Sequence, residues 1–70
     1  MEKWLINLLE EYKELKSRRD NLQIFIADVV AGRRENTSHS SIILYKNQLQ
    51  SMNHYLSSLA KRLKAEGVEV

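Results

Sequence analysis

Apolar residues recur at alternating steps of three and four along the first half of the chain: Leu5, Leu8, Tyr12, Leu15, Leu22, Ile26 and Val29. That spacing keeps one face of an α-helix apolar, and neither Gly nor Pro interrupts residues 1–31. Leu9, Phe25 and Val30 widen the stripe beyond a two-stranded coiled-coil seam, so this helix is expected to touch more than one neighbour. A second series, Ile42, Tyr45, Leu49, Met52, Leu56, Leu59 and Leu63, repeats the pattern in the other half. Between them Gly32 stands where a left-handed C-cap is wanted, and Thr37 or Ser38 is available as the next N-cap. Lys61, Arg62 and Lys64 suit the negative end of the second helix's dipole, and Gly67 marks its close. The pattern predicts an all-α fold, an antiparallel two-helix hairpin forming a single αα-hairpin domain over residues 1–70. Its first helix covers about 2–31, its turn about 32–38 and its second helix about 39–66, with a short tail beyond.

A chain of 70 residues exposes much surface relative to its volume, and one core of this size rarely supplies more than ~3–5 kcal/mol. Cysteine is absent, which removes disulfides, thiolate metal sites and thiol nucleophiles. Self-association is the remaining support, so the hairpin is expected to assemble into a homo-oligomeric helical bundle. The plainer alternative treats Trp4, Ile24, Phe25 and Ile43 as scattered exposed apolar residues of the ordinary kind. Eleven basic and nine acidic residues leave a net charge of +2, a weak signal for nucleic acid. The surplus sits in residues 33–70, with six basic and three acidic groups. No apolar run approaches the ~18–20 residues of a membrane span, so the expectation is a mature, soluble protein of the cytoplasm with no membrane partner.

Signatures of catalysis are scarce: no Gly-rich phosphate loop, no His-Glu metal spacing and no recognisable carboxylate pair. His39 falls in the turn, and His54 falls on the polar side of the second helix without an acidic residue three or four positions away. Two solvated histidines, no metal, no cofactor and no enzyme are therefore expected. Asn36, Thr37 and Ser38 spell a glycosylation sequon that reads here as turn chemistry. The informative anomaly is a cation within an apolar seam. Arg19 projects near the centre of the first stripe, between Leu15 and Leu22, with Arg18 on its shoulder. Such a guanidinium either reaches the edge of the stripe, pairs with Glu11, Glu14 or another subunit, or awaits a phosphate-bearing ligand. On the second helix Ser41, Gln48, Tyr55 and Arg62 follow one another at intervals of seven, a polar ribbon beside the core. Tyr55 offers an aromatic face, Gln48 an amide for a base edge and Arg62 a planar fork for phosphate. With Tyr12, Arg18 and Arg19 they compose a basic, aromatic-walled slot between hairpins; the alternative is ordinary flank residues whose polar ends reach water.

The series Glu11-Tyr12, Leu15, Arg18, Leu22 and Phe25-Ile26, followed by Gln48, Met52, Tyr55-Leu56, Leu59 and Arg62, resembles small helical-hairpin proteins of bacteriophages. The likeness extends to the Glu66-Gly67-Val68 ending, and Ser51 stands where alanine is commoner. These proteins look related to the hairpin domain of anti-CBASS and anti-Thoeris sponges. That resemblance implies a phage anti-defence protein in the host bacterial cytoplasm, which sequesters a cyclic nucleotide immune signal between subunits of a homo-oligomer without cleaving it. Carried over by residue, it points to Tyr12, Arg18, Gln48, Tyr55 and Arg62; Arg19 is added from the seam alone. Cyclic dinucleotides and cyclic ADP-ribose isomers present phosphates for charge-assisted bonds and bases for stacking, at roughly 1–3 kcal/mol per stacked base. The rival is a non-catalytic interaction or scaffold module that docks on a phage or host protein through its apolar stripe. Nucleic-acid binding is not expected, because Arg33, Arg34, Lys46, Lys61, Arg62 and Lys64 do not share one face.

Overall fold

The computed structural model describes residues 2–33 and 38–70. Two helices account for most of them, α1 over Lys3–Val30 and α2 over His39–Ala65. Each is about 40 Å long at 1.5 Å per residue. Side-chain contacts fix their relative direction. Tyr55 of α2 bonds to Glu11 of α1, and Arg62 shares a hollow with Trp4. Near the turn, the rings of Phe25 and Tyr45 meet edge to face at 5.1 Å and 80°. Positions rising along α1 thus meet positions falling along α2, which makes an antiparallel hairpin.

Both helices stop in the same way. Gly32 takes φ +77°, a conformation that a side chain disfavours. This lets the Gly32 amide donate to the Val29 carbonyl (3.1 Å) and the Arg33 amide to the Asp28 carbonyl (2.9 Å). Those two bonds satisfy carbonyls that a helix end would leave open. Gly67, at φ +81°, repeats the arrangement with Gly67 to Lys64 at 3.0 Å and Val68 to Leu63 at 2.9 Å. The turn back brings Val68 against the core. Of the two N-cap candidates, Ser38 takes the position: its hydroxyl accepts from the Ser41 amide at 3.1 Å. Thr37 lies outside the described residues, as do Asn36 of the sequon and Arg34.

The seam is buried where the pattern placed it. Leu5 and Leu8 pack with Leu59 and Leu63, which are fully enclosed, and Leu9, Tyr12 and Leu15 close over them. Leu56, Ile26 and Val29 are also buried, the latter two toward the turn. The hairpin measures 46 × 16 × 15 Å, so it is one helix pair thick and has an inner face but no second layer. Trp4, Ile6, Ile24, Val30, Ile43 and Leu44 consequently remain exposed. Phe25 departs from the scattered-exposure reading, because contact with Tyr45 leaves it half-buried. No described helix is long and apolar enough to cross a membrane.

Candidate functional site

The six sequence candidates separate by the faces on which 100° per residue places them. Tyr12 lies on the seam itself, half-buried against the Leu5, Leu8, Leu59 and Leu63 cluster, and serves as packing. Arg19 also starts from the seam and is half-buried, but neither Glu11 nor Glu14 takes its charge. Its Nε donates to Asp20 Oδ1 at 2.7 Å and its Nη1 to Asn53 Oδ1 at 2.8 Å. The guanidinium therefore spans the two helices through an amide and pairs with a carboxylate of its own helix. Asn53 is two residues from Tyr55, about 200° around α2. Arg19 thus leans to one lateral edge of the hairpin while Tyr55 belongs to the other.

Helical phase puts Arg18, Gln48, Tyr55 and Arg62 on that other edge, and all four are exposed. The Tyr55 hydroxyl donates to Glu11 Oε1. Counting seven residues in opposite directions from this pair puts Trp4 level with Arg62, Arg18 level with Gln48, and Phe25 level with Ser41. Four rungs result, each with one residue from each helix. Trp4 and Arg62, together with Leu8, Ala65 and Glu66, line a hollow of about 140 Å³. Ser41 is turned to another use, its hydroxyl within 2.8 Å of the capping Ser38 hydroxyl. A larger hollow, about 320 Å³, lies elsewhere, between Ser57, Ala60, Lys61, Lys64 and the tail residues Glu69 and Val70. Tyr12 and Arg19 stand apart from the edge, so four of the six expected site residues share one surface.

Trp4, Glu11 and Phe25 are the α1 residues of this edge that the sequence reading left out of the site. Their signal was present: Trp4, Glu11, Arg18 and Phe25 follow one another at sevens on the first helix, mirroring Ser41, Gln48, Tyr55 and Arg62 on the second.

Tyr55 is 47% exposed, and its phenol is held above the ordinary tyrosine range. Its hydrogen bond to Glu11 is the main cause, partial burial and the Glu11 charge add to it, and the Arg62 charge works the other way. A phenol whose folded pKa is raised contributes stability that is fully present below its unfolded value and lost as pH rises through the folded one. The chain is therefore expected to lose stability above pH ~10, and Tyr55→Phe should flatten that alkaline loss in urea melts taken across pH. An unchanged alkaline slope would show that the Glu11 bond carries no such linkage.

Among the described residues no group of His, Asp and Glu is arranged to hold a metal ion. His39 and His54 are both exposed. What the edge offers is recognition chemistry: guanidinium forks from both helices, an indole and a phenol as flat faces, and an amide. No curated protein and no solved structure matches the chain. The model of the Sequestin family matches residues 2–65, nearly the whole hairpin, and the chain belongs to that family.

Proposed function

We propose that this hairpin is a phage anti-defence protein that binds and sequesters a cyclic nucleotide immune signal, a cyclic oligonucleotide or a cyclic ADP-ribose isomer, between subunits of a homo-oligomer. The observation that carries this reading is membership of the Sequestin family over residues 2–65, a name that points to capture rather than turnover. The lateral edge supplies a place for it. Arg18 and Arg62 present five N–H donors each for phosphate oxygens, Trp4 and Tyr55 present faces for bases, and Gln48 presents a donor and an acceptor. Capture needs no acid, base or nucleophile, and rigid helices on either side lower the ordering cost of holding a ligand. Tyr12 supports the edge from within the core, and Arg19 adds its charge from the seam while its fork holds Asp20 and Asn53.

A second reading is favoured by a different observation. Ile24, Val30, Ile43 and Leu44 are all exposed toward the turn end, spread over both helices, and exposed apolar residues of this kind suit docking onto a phage or host protein.

A thermal-shift panel of cyclic dinucleotides, cyclic trinucleotides and cyclic ADP-ribose isomers separates the two. A ligand at a hundredfold excess over its Kd stabilises the native state by about 2.7 kcal/mol, which in so small a domain raises the midpoint by more than about 10 °C. At least one member of the panel is expected to do so. A flat panel, with a host protein retained on the immobilised chain, would replace capture by docking.

A further inference from the structure

We propose that two copies of the chain pair antiparallel along the Trp4–Arg62 edge, with Glu11 of each copy against Arg18 of the partner. The pairing builds on the reading of this edge as a wall shared between subunits, and it assigns the orientation that sharing requires. From the chain ends toward the turn, Trp4 lies beside Arg62 and Glu11 bonds Tyr55; the count of sevens extends these rungs to Arg18 with Gln48 and Phe25 with Ser41, the Phe25 ring itself resting on Tyr45 one turn along α2. The side chains of Glu11 and Arg18 sit one heptad apart on α1, about 10 Å, too far to satisfy one another. A two-fold axis between the second and third rungs exchanges them, so each Glu11 meets the partner's Arg18 and each Arg18 the partner's Glu11. Isologous contacts of this reciprocal kind are the usual basis of dimers.

The same axis sorts the apolar residues. It exchanges the first rung with the fourth, so Trp4, 50% exposed, meets the partner's Phe25. Leu44, exposed and three residues beyond Ser41 on the same side of α2, flanks that contact. Apolar ends thus cover one another while the polar middles pair by charge. Parallel packing, about an axis that runs along the helices, sets α1 on the partner's α2: Glu11 then meets the partner's Tyr55 and Arg18 the partner's Gln48, so neither charge gains an opposite one and the electrostatic complementarity is lost. The available area is adequate, since an edge 46 Å long and 15 Å wide offers on the order of 700 Å² per copy, within the range of stable interfaces. Because a guanidinium carries five donors, Arg18 can hold the partner's carboxylate and still face a ligand. Two equivalent slots follow, each bounded by Trp4 and Arg62 of one copy and the partner's Phe25.

Sedimentation without any nucleotide tests the pairing separately from capture. Wild type is expected to associate. Glu11→Arg and Arg18→Glu should each weaken self-association by at least about tenfold, and the double exchange should restore it, because the reciprocal pairs are rebuilt with their signs reversed. Glu11→Gln, which keeps an acceptor for Tyr55, gives a milder check with helicity followed by circular dichroism. It weakens the antiparallel pair, but it would leave a parallel one essentially unchanged, because there Glu11 faces no charge of the partner. A wild-type chain that sediments as a single hairpin, a double exchange no better than the single ones, or association that Glu11→Gln does not weaken overturns the pairing. A dimer that behaves as described but shifts with no nucleotide upholds the pairing and overturns the capture reading instead.

Discussion

Leu59→Ala is expected to lower the thermal midpoint by more than about 10 °C and to leave a large unfolded fraction at 37 °C. Among the described residues Leu59 and Leu63 are the side chains with no exposed surface, and Leu59 packs with Leu5, Leu8 and Leu63 in the core between the two helices. Removing a leucine side chain from such a place costs about 2–5 kcal/mol, the transfer term plus the unfilled cavity. A hairpin one helix pair thick has no second layer that can close in on the space. Total stability for a core of this size is itself only about 3–5 kcal/mol, so the loss is comparable with everything there is to lose. Ile24→Ala, on the outer face of α1 and 61% exposed, should change stability by less than about 0.5 kcal/mol. Melts at one fixed protein concentration, by far-ultraviolet circular dichroism, check both variants. A Leu59→Ala chain that melts close to wild type would mean that the Leu59 cluster does not hold the hairpin together.

The core was legible because a helix repeats its environment every three to four residues. Leu5, Leu8, Ile26, Val29, Leu56, Leu59 and Leu63 all sit on the two stripes and are all buried. Gly32 was legible for a stereochemical reason, since a left-handed cap after an uninterrupted helix is a position where glycine alone is unstrained. The site was legible only in part. Periodicity within one helix identifies Ser41, Gln48, Tyr55 and Arg62 as neighbours, but it says nothing of the axial offset between helices, which decides that Tyr55 reaches Glu11 and Arg62 reaches Trp4. Arg19 shows the same limit. Its position in the seam was clear from spacing, while its partner, Asn53, is an uncharged residue on the other helix that no charge pattern singles out. Tyr12 offers an aromatic wall for a slot by residue type alone, and its packing against Leu5, Leu8, Leu59 and Leu63 places it at the core.

Arg62→Ala is expected to weaken nucleotide capture roughly ten- to a hundredfold while leaving the oligomer's mass by light scattering unchanged. A hydrogen bond to a charged group is worth about 1.5–3 kcal/mol, and an arginine fork on a phosphate makes two such bonds in a fixed geometry. Arg62 is exposed beside a hollow that Trp4 also lines, so its fork reaches a ligand without first being released from a buried partner. Two neighbours separate this role from bulk charge. Lys61→Ala removes the same charge one residue away, from a side chain that lines the larger hollow with Ser57 and Lys64. It should therefore cost only the screened, salt-sensitive part of the attraction. Arg19→Ala should act chiefly on stability, because it releases Asn53 and Asp20 from the bonds that tie α1 to α2 and to its own turn. Isothermal titration of the three variants, each at two salt concentrations, reads the contrast. If Lys61→Ala and Arg62→Ala lose affinity equally, and both losses vanish at high salt, the ligand is held by diffuse charge and the edge has no shaped anion site. If Arg62→Ala binds as wild type does, Arg62 leaves the site.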